Sequence, residues 1–178
     1  NFEYYYHLEI QDSTNNQKMI EAFEFITKSD SSLYGGYFFL SLLYKQINNN
    51  KKYIDYMDQY IKYSQNNEKA HYLKAIFHFE KKEYIDCLFV LQQILTKNKN
   101  SLLARFMTGQ SLLELQSYQS ASEAFNIVLA NDSHHLKARY NLGQCYLKLN
   151  IYDKAINQFT QTLLLYPNYE KTYYYLGY

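Results

Sequence analysis

The sequence predicts an all-α protein, an α-solenoid of antiparallel helix hairpins, on three observations. Small residues recur at Ala75, Gly109, Gly143 and Gly177, a constant thirty-four residues apart. In the same register Tyr84, Tyr118 and Tyr152 are each followed three residues later by a small residue, Cys87, Ala121 and Ala155, and then by a bulky apolar one, Leu91, Phe125 and Phe159. Leu95, Leu129 and Leu163 continue the pattern. With each match having a chance of roughly one in ten on composition, so many in one register are not accidental. Within a unit the apolar residues step by three and four, which lines one face of a helix.

The repeats divide the chain in order. Residues 1–33 read as an N-terminal helix pair, Phe2–Glu9 and then Asn16–Lys28 with Met19, Ile20, Phe23 and Ile26 on one face. Residues 34–67 are a degenerate unit. Gapless counting puts Ser41 at the small position, yet Tyr53, Tyr56, Met57, Tyr60 and Tyr63 match the second-helix spacing only when moved three residues later. Asn48-Asn49-Asn50 is therefore read as three extra loop residues, offset by a shorter loop at Gln65-Asn66-Asn67. Residues 68–101 carry Tyr84, Cys87, Leu88, Leu91, Ile94 and Leu95 on their second helix; residues 102–135 carry Tyr118, Ala121, Phe125, Val128 and Leu129; residues 136–169 carry Tyr152, Ala155, Ile156, Phe159, Thr162 and Leu163.

First helices are expected at about Leu102–Leu115 and Leu136–Leu149, where Ala104, Ala138, Gly109 and Gly143 let two helices approach closely. A turn as short as Leu149-Asn150-Ile151 implies an antiparallel hairpin. Ser133 and Pro167 suit helix starts. Residues 170–178 begin a further first helix, truncated after YYYLGY.

Composition bounds the function. The chain has 178 residues and 47% hydrophobic content, enough for a real core. A formal net charge of +1 leaves no footprint for nucleic acid or an anionic membrane. No apolar run approaches the ~18 residues of a membrane span. The start NFEYYYHLEI has neither an initiator Met nor a signal layout, and the end carries no helix stop, so both ends read as cuts in a longer protein. Tyr, Asn, Lys, Ile and Phe all have AT-rich codons, which discounts part of the 19% aromatic content.

Leu142-Gly143, Tyr146, Ala155, Phe159 and Pro167 resemble the tetratricopeptide repeat pattern L-G-x2-Y…A-x3-F…P at its 34-residue spacing. The resemblance covers about Tyr34 to Tyr178. Arg139 stands where the family has Trp, Pro occurs once, and Lys74 and Thr108 replace the family's Leu. The resemblance implies a right-handed superhelix whose first helices line a concave groove. Carried over by position, the groove comprises Phe38, Phe39 and Leu42; Tyr72, Leu73, Ile76 and Phe79; Phe106, Met107, Gln110 and Leu113; Tyr140, Asn141, Gln144 and Leu147; and Tyr174, Tyr175 and Tyr178.

Burying one large apolar side chain is worth ~1.5–3 kcal/mol, so a groove this aromatic calls for an occupant. An amphipathic helix or extended segment, of another subunit or of the same chain, fits it. Codon bias and contacts within the solenoid are the competing account. The expected function is a non-catalytic interaction scaffold inside a larger assembly; the family occurs in the anaphase-promoting complex and in ciliary, axonemal and transport assemblies. The alternative is the docking region of a larger enzyme whose catalytic domain lies outside this segment. An RNA-binding helical repeat ranks below both, because base-reading polar pairs are missing.

Chemistry-bearing motifs are sparse. The family's clamp for a terminal carboxylate would use Asn141 and Lys171, but Phe106, Gln110 and Tyr175 stand at its other positions, and two matches of five, the number expected by chance, argue against it. There is no Gly-rich phosphate loop, HExxH or CxxC. His78-Phe79-Glu80 echoes the H-x-E of zinc deaminases without its P-C-x-x-C partner. His134-His135 reads as a solvated loop, and His71 and His78 as lacking a further ligand nearby. Cys87 and Cys145 sit at small-residue helix positions, which argues for buried thiols, no disulfide, and a cytoplasmic or other reducing compartment, cytoskeletal and ciliary sites included. Asn131-Asp132-Ser133 fits the glycosylation sequon by chance. No catalytic, metal or cofactor site is expected.

Overall fold

The hydrogen bonds of each turn explain why the helices pair. In the computed structural model, which describes residues 13–30, 33–64 and 67–176, the chain runs α1 (Ser13–Ser29), α2 (Gly35–Gln46), α3 (Asn50–Tyr63), α4 (Glu68–Glu80), α5 (Tyr84–Lys97), α6 (Leu102–Glu114), α7 (Tyr118–Asn131), α8 (Leu136–Lys148) and α9 (Tyr152–Leu165). A 3-10 turn, Glu170–Thr172, then leads into α10 (Tyr173–Leu176). There is no strand among the described residues. The expected helix at Phe2–Glu9, and Gly177 and Tyr178, lie outside them.

Three residues join α2 to α3, α4 to α5, α6 to α7 and α8 to α9, and the middle one is left-handed each time: Asn48 (φ 57), Lys82 (φ 61), Gln116 (φ 58) and Asn150 (φ 59). The third residue then donates its N–H five residues back, as Asn49 to Tyr44 O (2.9 Å), Glu83 to His78 O (2.8 Å), Ser117 to Leu112 O (2.8 Å) and Ile151 to Tyr146 O (2.8 Å). This is a C-cap that satisfies the helix's last carbonyls and reverses the chain at once. The antiparallel hairpins follow from it.

The identical turns correct one expectation. The three extra residues at Asn48-Asn49-Asn50 do not exist as an insertion. The first full hairpin has the same turn length as the others, and four residues again separate α3 from α4, so the 34-residue register is gapless. Asn49 caps α3 by accepting from Lys52 N (3.2 Å), and Asn50 is already helical. Tyr53, fully buried at 2% exposure, occupies the position that Cys87, Ala121 and Ala155 hold elsewhere.

Helix starts are capped by the last linker residue. Ser101 Oγ accepts from Ala104 N (3.4 Å), and His135 Nδ1 accepts from Ala138 N (3.2 Å). The cap of α8 is thus His135, not Ser133. Ser133 has another use: Arg139 Nη2 donates to its carbonyl (2.7 Å), as Arg105 Nη2 donates to Lys99 O (3.4 Å) and the Tyr173 hydroxyl to Pro167 O (2.8 Å). All three donors stand where the family resemblance calls for Trp. Each ties its helix to the linker six residues upstream.

The chain divides into two compact units, residues 1–70 and 71–178, with the boundary inside α4. In the first unit Ile20, Leu40, Leu43, Tyr44, Tyr53, Met57 and Tyr60 are buried. A polar knot ties its three helices: Glu24 accepts from Tyr56 OH (2.8 Å) and Tyr44 OH (3.0 Å), with the Lys52 ammonium 3.8 Å away. The Tyr56 hydrogen bond, then that from Tyr44 and the charges of Lys52 and Lys28, hold the Glu24 carboxyl below its usual range against the opposing effect of burial. In the second unit Ala75, Cys87, Val90, Leu91, Ile94, Leu95, Ala104 and Met107 form one buried layer. Phe106, Ala121, Phe125, Val128, Ala138, Leu142 and Cys145 form the next. Neighbouring residues of α6, Phe106 and Met107, enter different layers, so the core is continuous from hairpin to hairpin.

The candidate partner-binding face

Several of the aromatic residues expected to line a groove also make contacts within the fold. In the first unit Phe38 is only 8% exposed, its ring 5.1 Å from Tyr60 and 6.0 Å from Phe39. In the second unit Tyr72, Phe106 and Tyr140 stand one repeat apart, and each meets the N-cap residue of the following hairpin. The Tyr72 hydroxyl hydrogen-bonds the Ser101 hydroxyl. Phe106, 8% exposed, lies 4.7 Å from the His135 ring, and Tyr140 lies 5.2 Å from Tyr169. A ring on one first helix seats the start of the next, so its position in the repeat is explained without a ligand.

What this leaves open is narrower and more polar. Ile76, at 36% exposure, faces solvent on α4, while Phe79 is half-buried with its ring 5.4 Å from Tyr84. Leu113 is half-buried against the second core layer. Gln110 and Asn141 are half-buried, and neither amide has a hydrogen-bond partner among the described residues. Gln144 Nε2 donates to the hydroxyls of Tyr140 (3.3 Å) and Tyr175 (3.1 Å). Desolvation, followed by the Tyr175 hydroxyl beside it, raises the Tyr140 pKa, so this group stays a neutral phenol. Tyr174 is 81% exposed, with its ring edge-on to Tyr175 at 5.3 Å.

Three features were not legible from residue types alone. On the second helix α5, Ile85 and Phe89 are 72% and 67% exposed, one turn apart and off the core stripe. Their spacing of four beside Cys87 and Leu91 was the available signal. His135 is no solvated loop residue but a cap packed on Phe106. His78, read as having no other ligand nearby, has Nδ1 2.7 Å from Glu83 Oε2, with Asp86 also within reach.

The thiols are where the repeat placed them. Cys87 and Cys145 are free and buried. Burial raises the Cys87 pKa, partly offset by the hydrogen bond from Ser111 Oγ to Cys87 Sγ (3.4 Å), and pushes the Cys145 thiol up to about 12. Both are shielded from thiolate chemistry. Among the described residues no helix is long and apolar enough to cross a membrane.

With this geometry in view, comparison with known proteins is informative about architecture. The family model described as tetratricopeptide repeat matches residues 106–170. That of anaphase-promoting complex, cyclosome, subunit 3, matches residues 38–128. YrrB, described as a TPR protein with an unusual peptide-binding site, superposes with a TM-score of 0.75 at 19% identity, over 93% of this chain and 85% of its own. The MamA protein gives 0.71 at 18% identity, over 89% and 86%. MamA from residue 41 onward of Desulfovibrio magneticus RS-1 gives 0.70 at 15% identity, over 86% and 87%. At such identities the likeness is one of fold. No curated protein matches the chain by sequence.

Proposed function

The chain belongs to the tetratricopeptide repeat family, and from that premise we propose that it is a non-catalytic interaction scaffold whose second unit receives a helix or extended segment of another protein within a multi-subunit assembly. The carrying observation is the pair of half-buried amides without a partner among the described residues, Gln110 on α6 and Asn141 on α8, on a set of first helices that also leave Ile76, Phe79 and Leu113 partly open. A peptide backbone offers the donors and acceptors such amides lack, and its side chains the apolar contacts. Gln144 and Tyr174 extend the face toward α10. The peptide-binding site ascribed to YrrB supports a peptide-like ligand for this fold.

Tyr72, Phe106 and Tyr140 act at one remove, by fixing the spacing of the first helices that present the amides. Phe38 packs inside its own hairpin in the first unit, its ring against Tyr60. The assembly role is supported by the match to a subunit of a known complex.

Photo-crosslinking residues placed at Gln110 and Asn141 in the protein's native source should capture the same partner peptide, and one at Glu123 on the exposed side of α7 should not. Capture from Glu123 alone, or a partner retained after Gln110→Glu and Asn141→Glu in a chain of unchanged helicity, would sink the reading.

A further inference from the structure

We propose that His78, Glu83 and Asp86 form a site for a divalent cation of the zinc class at the turn between α4 and α5. His78 closes the last turn of α4, Glu83 is the final turn residue and Asp86 lies in the first turn of α5. One ligand atom from each lies within 4.8 Å of the other two, and His78 Nδ1 is 2.7 Å from Glu83 Oε2. The backbone fixes this arrangement: Lys82 sits at φ 61, and Glu83 N–H closes onto His78 O at 2.8 Å. The imidazole is 8% exposed and held in place, whereas both carboxylates are open to solvent.

The repeat supplies an independent reason to put a cation there. Tyr44 and Tyr146 hold the position of His78 in other hairpins, and Lys52 and Lys154 that of Asp86. Those ammonium groups lie over the rings, Lys52 Nζ 4.6 Å from the Tyr44 centroid and Lys154 Nζ 5.5 Å from that of Tyr146. This turn therefore accommodates a positive charge against its ring in two copies. In the α4–α5 hairpin the lysine is replaced by a carboxylate, the phenol by an imidazole, and a second carboxylate is added at Glu83. The built-in cation is gone, and a nitrogen and two oxygens stand in its place.

One imidazole and two carboxylates suit Zn2+ and its neighbours, with water completing a four-coordinate shell. Mg2+ and Ca2+, which take oxygen ligands almost throughout, suit it poorly. Coordination through Nδ1 would leave the imidazole proton on Nε2 and break the hydrogen bond between His78 and Glu83, and the two ligand atoms would part to about 3.3 Å, the span of a tetrahedral angle at zinc-ligand bond lengths. Of the two lysines in the turn, Lys81 and Lys82, the ammonium of Lys81 is engaged over the Phe77 ring at 5.7 Å.

The test is Co2+ titration of the untagged 178-residue chain, followed by visible absorption, with Zn2+ as competitor. One ion per chain should bind saturably, Zn2+ should displace it, and Mg2+ should not. Asp86→Asn and Glu83→Gln, both at exposed positions, should each weaken binding by about tenfold or more while helicity is kept. His134→Ala should leave binding unchanged. Absence of saturable binding at millimolar metal overturns the proposal, as does equal binding by the wild type and the two carboxylate variants.

Discussion

A β-carbon at Gly143 would sit 2.6 Å from Cε1 of Phe159, and one at Gly109 would sit 2.7 Å from Cε1 of Phe125. Both rings are buried, and that of Phe159 is stacked on Tyr175 at 4.9 Å, so neither can swing away freely. The same pair of positions, sixteen residues apart, carries Ala75 with Leu91 in the α4–α5 hairpin and Ser41 with Met57 in the α2–α3 hairpin, all four of them 0% exposed. A larger residue on the first helix thus goes with a slimmer one on the second. The sum of volumes is what the interface conserves. Gly143→Ala gains about 1 kcal/mol of helix propensity but overpacks the interface at ~1–3 kcal/mol, so the expected net effect is a lower melting temperature. Adding Phe159→Leu, which reproduces the Ala75–Leu91 solution, should recover part of the loss. A double variant whose stability is the plain sum of the two single ones would show that the sites do not couple.

The helices themselves were readable because each hairpin repeats one turn, one linker and one stripe, and the misreadings have a common physical origin. Tyr53 hid the register of the α2–α3 hairpin because position was matched by residue size, whereas the structure conserves burial. The packing contacts of Tyr72, Phe106 and Tyr140 have no local signal, because Ser101, His135 and Tyr169 lie twenty-nine residues ahead in the next hairpin. Glu24, Tyr44 and Tyr56 meet only once three helices have packed, so nothing local announces them. The turns, by contrast, hold a strain that sequence does record. Gln116 adopts φ 58 without the short side chain that eases this conformation for Asn48 and Asn150. Gln116→Gly should remove that strain, a gain of about 1–2 kcal/mol, and should loosen the unfolded chain at a cost of about 0.4–1 kcal/mol. The expected net result is a modest stabilisation, read as a higher denaturant midpoint at unchanged slope. Asn150→Gly should gain less, and a loss at Gln116 would mean that its side chain contributes a contact that outweighs the backbone strain.

At the scale of the molecule, the packing of the second unit is short-range in sequence: α7 packs on α6 and α8, α9 packs on α8 and α10, and α6 also touches α8, the first helix of the next hairpin. A chain built this way has no single nucleus on which all its stability depends, and its energy is the sum of hairpins and the interfaces between consecutive hairpins. Damage in one place should therefore spread by adjacency. Gly143→Leu, which drives a side chain into Phe159 and forces α8 from α9, puts the damage at a known position. Amide exchange should rise most in α8 and α9, where the hairpin itself opens, and next in α7, which loses the packed face of α8. The rise should extend to α6, which touches α8 directly, and be smaller in α5, one hairpin further along, while the helices α1–α3 of the first unit should keep their protection. The gradient is the diagnostic feature, because local opening free energies are set by each hairpin's own contacts and those of the next one along. Exchange that rises by the same factor from α1 to α9 would mean a single cooperative block, and the nearest-neighbour account of this solenoid would be wrong.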